Sequence, residues 1–287
     1  MRLLLGLLAW LPAALSYALA GVASILIYHV FRYRRATVRE NLQQAFPDYS
    51  KARLLQIEKA SYRHLCNLGV EIIRSSRMPR EEFVERVSCV NLELLETVTQ
   101  NFEKQGLLLL VHQGNWEWAL HAAMAGLPVP IDPVYKRLHS PFWEQFIKAS
   151  RSRFGATPMA IDDVGRAMIR GRKYQRLVGM LADQAGPRYG GYWTEFLNRP
   201  ATFYRGADKL AKALELPVVF VQCRLLSRGY YEVSFHELSL PPHRDDSEAI
   251  LEDYVQMAEQ MIAAQPETYL WTNRRWKKRP PDSHEQS

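Results

Sequence analysis

From Leu107 onward, short, largely apolar runs alternate with longer amphipathic stretches, and this alternation restricts the fold more than any other feature of the chain. The runs at 107–111 (LLLLV), 131–135, 157–161, 177–182 (LVGMLA), 217–223 (PVVFVQC) and 230–235 read as strands. Between and after them the pattern predicts helices near 91–105, 116–126, 140–154, 163–173, 202–215 and 248–264. A strand that is apolar at every position must be covered on both faces, so the expected fold is α/β, a mostly parallel mixed sheet flanked by helices. Ligands of such sheets collect at the carboxyl ends of the strands. The residues that fall there are His112 after the first run and Asp183-Gln184 after the fourth. Ahead of the alternating part, 37–45 and 51–76 read as amphipathic helices separated by Phe46-Pro47-Asp48.

The chain begins with a different kind of segment. No charged side chain occurs from Leu3 to Phe31, which exceeds the roughly 20 apolar residues that cross a bilayer. Ala18-Leu19-Ala20 has the small-x-small form of a signal cleavage site, but the apolar run continues past it into a basic cluster, which favours a retained N-terminal membrane-anchor helix. A buried core helix is seldom apolar all round, and Pro12 would kink one here. Crossing the membrane and lying within one leaflet both fit the pattern. Arg32, Arg34, Arg35 and Arg39 outweigh Arg2, which assigns the remainder of the chain to the cytoplasm by the positive-inside rule. The expected organisation is an anchor with its basic flank over 1–35, one main domain over 36–280, and a polar tail over 281–287.

A net charge of +7 favours anionic partners such as phospholipid, phosphorylated substrates or an acidic protein. Nucleic acid would also answer to that charge, but no nucleic-acid module is visible and none is expected as a partner. The three cysteines, Cys66, Cys89 and Cys223, form no paired spacing, as expected in a reducing compartment.

The segment Leu107–Trp118, LLLLVHQGNWEW, carries the chemistry. A strand ends, His112 follows, Gly114 permits a sharp turn, and Asn115 is a good helix cap. Glu117 then lies in the first helical turn, where the helix dipole favours its ionised form. On one continuous helix, residues five apart would point about 140° apart, since each turns the chain by about 100°. The turn at Gly114-Asn115 is what would let His112 and Glu117 meet. A carboxylate beside an imidazole fixes its tautomer and stabilises the imidazolium, as a general base acting on a hydroxyl requires. Taken alone, the spacing is equally that of a packed histidine and a charge complementing a helix dipole. No G-x-S-x-G elbow offers a serine nucleophile. His112, Glu117 and His121 lack the H-E-x-x-H spacing of a zinc site, so no metal is expected.

The H-x4-E segment HQGNWEW resembles the H-x4-(D/E) motif of the lysophospholipid acyltransferase superfamily. More narrowly, the chain resembles the late acyltransferases of lipid A biosynthesis, the lauroyl and myristoyl transferases. The resemblance rests on four further blocks: RYRRATVRENLQQAFP (32–47), GMLADQAGP (179–187), FLNRPATFYRGADKLAKALELPVVFV (196–221) and PETYLWTNRRWKKRP (266–280). Tyr204 and Asn273 depart from the family pattern, which commonly has a small residue near the first and a histidine near the second. The glycerolipid branch usually carries an E-G-T-R block, which is absent here. The resemblance implies an inner-membrane enzyme that moves an acyl group from an acyl carrier protein thioester to a hydroxyl of a lipid A precursor. No separate cofactor is implied. It implies His112 as base, Glu117 as its orienting partner, Asp183 as an important acid, and an arginine between the first two catalytic blocks. Arg153 is assigned that role, with Arg151 as the neighbouring alternative. Asn115, Gln184, Arg274 and Arg275 are the expected substrate contacts, and acyl carrier protein, the lipid A precursor and membrane phospholipid the expected partners. A thioesterase using the same pair with water, and a non-catalytic lipid-binding protein, are the rival readings.

Overall fold

In the computed structural model, which describes residues 2–244 and 248–281 (side chains from residue 5), the apolar runs pair into one seven-stranded sheet. Three helices open the chain: α1 (Arg2–Trp10), α2 (Ala13–Ile25), extended by a π-helical turn over Leu26–Val30, and α3 (Arg35–Ala45). The long α4 (Lys51–Ser75) and the short α5 (Arg80–Arg86) precede β1 (Val87–Cys89) and α6 (Glu93–Val98). The alternating part then runs β2 (Gly106–Leu110), α7 (Trp116–Gly126), β3 (Ile131–Tyr135), α8 (Pro141–Arg151), β4 (Met159–Ala160), α9 (Val164–Arg170) and β5 (Leu177–Leu181). A two-stranded hairpin, β6 (Tyr192–Glu195) and β7 (Pro200–Phe203), leads to α10 (Gly206–Leu214), β8 (Val218–Ser227), β9 (Tyr230–Ser239) and α11 (Ala249–Ala264).

The strand order is β1-β9-β8-β2-β5-β3-β4, and every neighbouring pair is parallel except β8 with β9. Helices cover both faces, as strands apolar throughout require. Trp118 of α7 packs edge-on against Tyr231 of β9. Phe220, which points to the opposite face from its neighbour Val221, packs against Tyr254 of α11. This is the expected α/β fold, a mostly parallel mixed sheet between helices.

Residues 13–30 form one helical stretch, apolar enough and long enough to cross a membrane. Pro12 separates it from α1 and stands at its N-cap. One edge of the stretch is buried along α4: Tyr17 donates to Glu71 at 2.8 Å and Tyr28 to Glu58 at 3.0 Å. The opposite edge exposes Leu15, Leu19, Val22 and Ile25, and Phe31, just past its end, is exposed as well. Of the polar tail expected over 281–287, residues 282–287 lie outside the described residues.

Candidate functional site

Register brings the site together. β2 and β5 are parallel neighbours with Leu110 opposite Leu181, and the pairing continues one residue further as Ala182 N–H donates to the Leu110 carbonyl at 3.0 Å. The second residue beyond each strand is therefore His112 on one side and Asp183 on the other. His112 Nδ1 lies 2.6 Å from Asp183 Oδ1, and the His112 backbone N–H donates to the same oxygen at 3.2 Å. Burial pushes the Asp183 carboxyl up, but the charge and hydrogen bonds of His112, with Arg275 nearby, outweigh it and hold the group below the usual carboxylate range. An ionised carboxylate only accepts, so Nδ1 carries the hydrogen, and in the neutral ring Nε2 then holds the lone pair. Gln184 Nε2 stands 3.2 Å from that lone pair.

The turn predicted after His112 is present. Gly114 has φ +64°, and a Cβ there would lie 2.5 Å from the Cys223 carbonyl oxygen, so only glycine fits. Asn115 caps α7 by accepting from Trp118 N–H at 2.9 Å. Glu117 takes its place in the first turn, but the hydrogen bond to His112 expected from the sequence does not form. Both Glu117 oxygens face Arg151 at the end of α8, with Arg151 Nε donating to Oε2 at 2.9 Å. A guanidinium matches a carboxylate with two parallel bonds, and Asp183 already holds the imidazole. Burial raises the Glu117 carboxyl, and Arg151 more than reverses this, leaving it below its ordinary value. Trp116 joins the two parts: its ring packs edge-on against His112 at 5.0 Å, and its Nε1 donates to Glu117 Oε1 at 3.2 Å.

Several sequence assignments change as a result. Arg153 does not reach Glu117; it donates to the Ser75 carbonyl, with its guanidinium over Phe154, because the chain has left α8 for a 3-10 turn. The arginine brought to the site is Arg151. Asn115 and Arg275 are 0% and 1% exposed, so neither has a face for a substrate. Asn115 is committed to its cap and to Glu71, to which it donates at 2.8 Å. Arg275 lies 4.3 Å over the Phe203 ring, and its charge supports Asp183 from within the protein. Gln184 stands at His112 Nε2, while Arg274 is exposed on the surface. Arg151 is the alternative that the sequence offered to Arg153, and Trp116 is the one group here that no sequence signal singled out. The signal for the His112–Asp183 pair was visible as H-Q and D-Q at equal distances beyond two apolar runs.

The His112 loop is held by the carboxy-terminal segment. Leu270 N–H donates to the His112 carbonyl at 3.0 Å, and Gly114 N–H to Thr268 at 3.2 Å. The Gln113 side chain donates to the Gln265 carbonyl at 2.9 Å and to Thr268 Oγ1 at 3.0 Å.

Beside the dyad, an apolar cavity runs between α7 and the sheet. Trp116, Glu117 and Arg151 line one part, and Leu108, Ile131 and Gly179 another. Polar groups at one part of an otherwise hydrocarbon-lined space suit a ligand with a polar reacting group and a long apolar tail.

A family model described as bacterial lipid A biosynthesis acyltransferase matches residues 2–278. The chain is 22% identical over 270 residues to a Haemophilus influenzae protein named lipid A biosynthesis acyltransferase, covering 92% of this chain and 82% of that one. It is 24% identical over 282 residues to an Escherichia coli protein named lipid A biosynthesis lauroyltransferase, covering 96% of this chain and 90% of that one.

Proposed function

This chain belongs to the bacterial lipid A biosynthesis acyltransferase family, and we propose that it moves a fatty acyl group from an acyl carrier protein thioester to a hydroxyl of a lipid A precursor, with His112 as general base. The observation that carries this reading is the 2.6 Å bond from His112 Nδ1 to buried Asp183, which leaves Nε2 as the free base. The acceptor hydroxyl takes the place of the Gln184 amide at Nε2. His112 removes its proton as the oxygen attacks the thioester carbonyl. The C–O bond forms, the tetrahedral intermediate collapses with loss of the C–S bond, and the departing thiolate recovers the proton from His112. Asp183 stabilises the intervening imidazolium. Glu117 acts as the anchor of Arg151, the cation that lines the cavity and is assigned the developing oxyanion. The acyl chain lies in the cavity beneath α7. Neither a covalent acyl-enzyme nor a metal is part of this route.

The enzyme works at the cytoplasmic face of the inner membrane, where an acyl carrier protein thioester is available. Its exposed apolar edge, Trp10, Leu15, Leu19, Val22, Ile25 and Phe31, meets phospholipid, and Arg32 and Arg34 form the basic rim expected beside anionic headgroups. The net charge of +7 suits an acidic carrier protein.

The test is to incubate purified full-length protein with acyl carrier protein thioesters and a tetra-acylated lipid A precursor, and to read products by mass. A gain of one acyl group, lost in His112→Ala, is expected. Free fatty acid as the main product with acceptor present would instead mark a thioesterase, and transfer by folded His112→Ala would rule out the base assignment.

A further inference from the structure

Resting on the reading that the acyl chain occupies the cavity beneath α7, we infer that Gly179 is the residue that sets how long a chain the enzyme accepts. Gly179 is the middle residue of β5, paired to Leu108 of β2 on one side and to Pro133 of β3 on the other. Glycine inside a strand costs about 0.5–1 kcal/mol relative to a residue with a side chain. Two backbone reasons commonly offset that cost, and neither operates here. Gly179 lies outside the left-handed region, unlike Gly114, Gly155, Gly190 and Gly229. A Cβ would meet only Ile131 Cγ2, at 3.5 Å, an ordinary van der Waals distance. What glycine preserves at this position is the space beyond Cβ.

That space is the cavity. Parallel register puts Gly179 on the same face as Leu108 and Leu181, and both line the cavity with it. Its neighbours across the strands, Leu108 and Pro133, carry bulky side chains, and so do Ile131 and Val221 on the same lining. Gly179 is the single glycine among the described lining residues. It lies four residues before Asp183, which at about 3.3 Å per residue puts it roughly 13 Å below the dyad. A hydrocarbon chain whose carbonyl lies near His112 has to pass over or end at this position. Because interiors are packed to near-crystal density, carbons added at Gly179 displace about the same number of ligand methylenes.

Full-length wild type, Gly179→Ala and Gly179→Val are assayed with saturated acyl carrier protein thioesters of graded length and one tetra-acylated lipid A precursor. The alanine variant is expected to lower the preferred length by about one methylene and the valine variant by about three. With the longest donor of the wild type, Gly179→Val should lose roughly fiftyfold in kcat/KM, the burial of three methylenes. The loss should shrink as the donor shortens, so that the peak of the length profile moves to shorter chains. A length profile unchanged in shape, whether or not the overall rate falls, overturns the inference. If Gly179→Val lacks a cooperative melting transition, the same comparison on Gly179→Ala decides. Binding of free fatty acids of graded length, followed by tryptophan emission because Trp116 lines the cavity, is measured alongside. A wild type that transfers no acyl group from any donor refutes the acyl-transfer reading. In that case a binding cutoff that moves with Gly179 still upholds the gauge, and an unmoved cutoff overturns it.

Discussion

Asp183→Asn tests whether Asp183, and not Glu117, is the carboxylate that serves the base. Both His112 donors, Nδ1 at 2.6 Å and the backbone N–H at 3.2 Å, address the same Asp183 oxygen. An asparagine oxygen placed there accepts both bonds, so ring orientation and tautomer survive the substitution. What disappears is the negative charge facing the imidazolium. Two unit charges about 4 Å apart contribute about 4 kcal/mol at an effective dielectric constant near 20, which corresponds to roughly a thousandfold in rate. Asp183 is 1% exposed, so water does not replace the lost charge. The assay is single-turnover acyl transfer with saturating donor and acceptor, on enzyme whose melting curve shows it folded. The expected result is a rate loss of about a thousandfold with little change in acceptor binding. In the double variant with His112→Ala, adding Asp183→Asn should cost little further, because the charge then has no imidazolium to stabilise. Activity of Asp183→Asn within tenfold of wild type would refute the assignment.

The same contacts lead to three further outcomes. Arg151→Met leaves the Glu117 carboxylate buried without its partner and should destabilise the fold by about 3–5 kcal/mol; adding Glu117→Gln should restore much of that, and a denaturant midpoint unmoved by Arg151→Met would contradict the pairing. Gly114→Ala forces a Cβ to within 2.5 Å of the Cys223 carbonyl at φ +64°, so the His112 loop must shift, with a loss of at least about 2 kcal/mol and of most activity; wild-type melting and turnover would show that the loop tolerates a side chain. Burial holds His64 and His121 down to about 4, against about 6.5 in the unfolded chain. Between those values the unfolded chain binds more protons, so stability present above pH 6.5 is lost progressively as the pH falls toward 4. The two histidines together should remove about 2–3 kcal/mol between pH 7.5 and 5.5, read from denaturant midpoints; equal midpoints would refute the neutral, buried assignment.

The elements most legible in the sequence are those whose own residues decide them. The helix expected over 116–126 and the strand over 131–135 have those limits in the structure, because a cap, a glycine and a short, largely apolar run are local signals. β1 has only three residues and exists through its pairing with β9, more than a hundred positions away. The hairpin β6–β7 is illegible for a different reason: its strands, YWTE and PATF, are four residues each and carry no apolar run, and the helix expected over 202–215 starts at Gly206 because Pro200–Phe203 is drawn into that hairpin. The site divides along the same line. His112 and Asp183 were named from their positions after two strands, but their adjacency required the strand order, which no local pattern contains. Glu117 was paired with its neighbour in sequence, whereas its partner Arg151 lies 34 residues away. Choosing Arg151 over Arg153 depended on where α8 ends, and the two arginines diverge there.

The sequence blocks are far apart along the chain, and the structure shows why a dyad this small draws on all of them. Asn41, from the block after the apolar segment, donates to the Trp271 and Asn273 carbonyls at 3.0 and 3.1 Å and accepts from Arg199. Those contacts fix the Thr268–Asn273 segment, which in turn bonds the backbone of His112 and Gly114. From the opposite side, Glu71 accepts from Tyr17 of the apolar helix, from Tyr231 of β9 and from Asn115, the cap of α7. The turn that carries His112 is therefore clamped between the carboxy-terminal segment and a buried carboxylate bonded directly to the apolar helix. His112 and Asp183 meet just beyond two neighbouring strands, but the turn holding His112 is clamped only while distant parts of the chain, including its apolar start, remain docked.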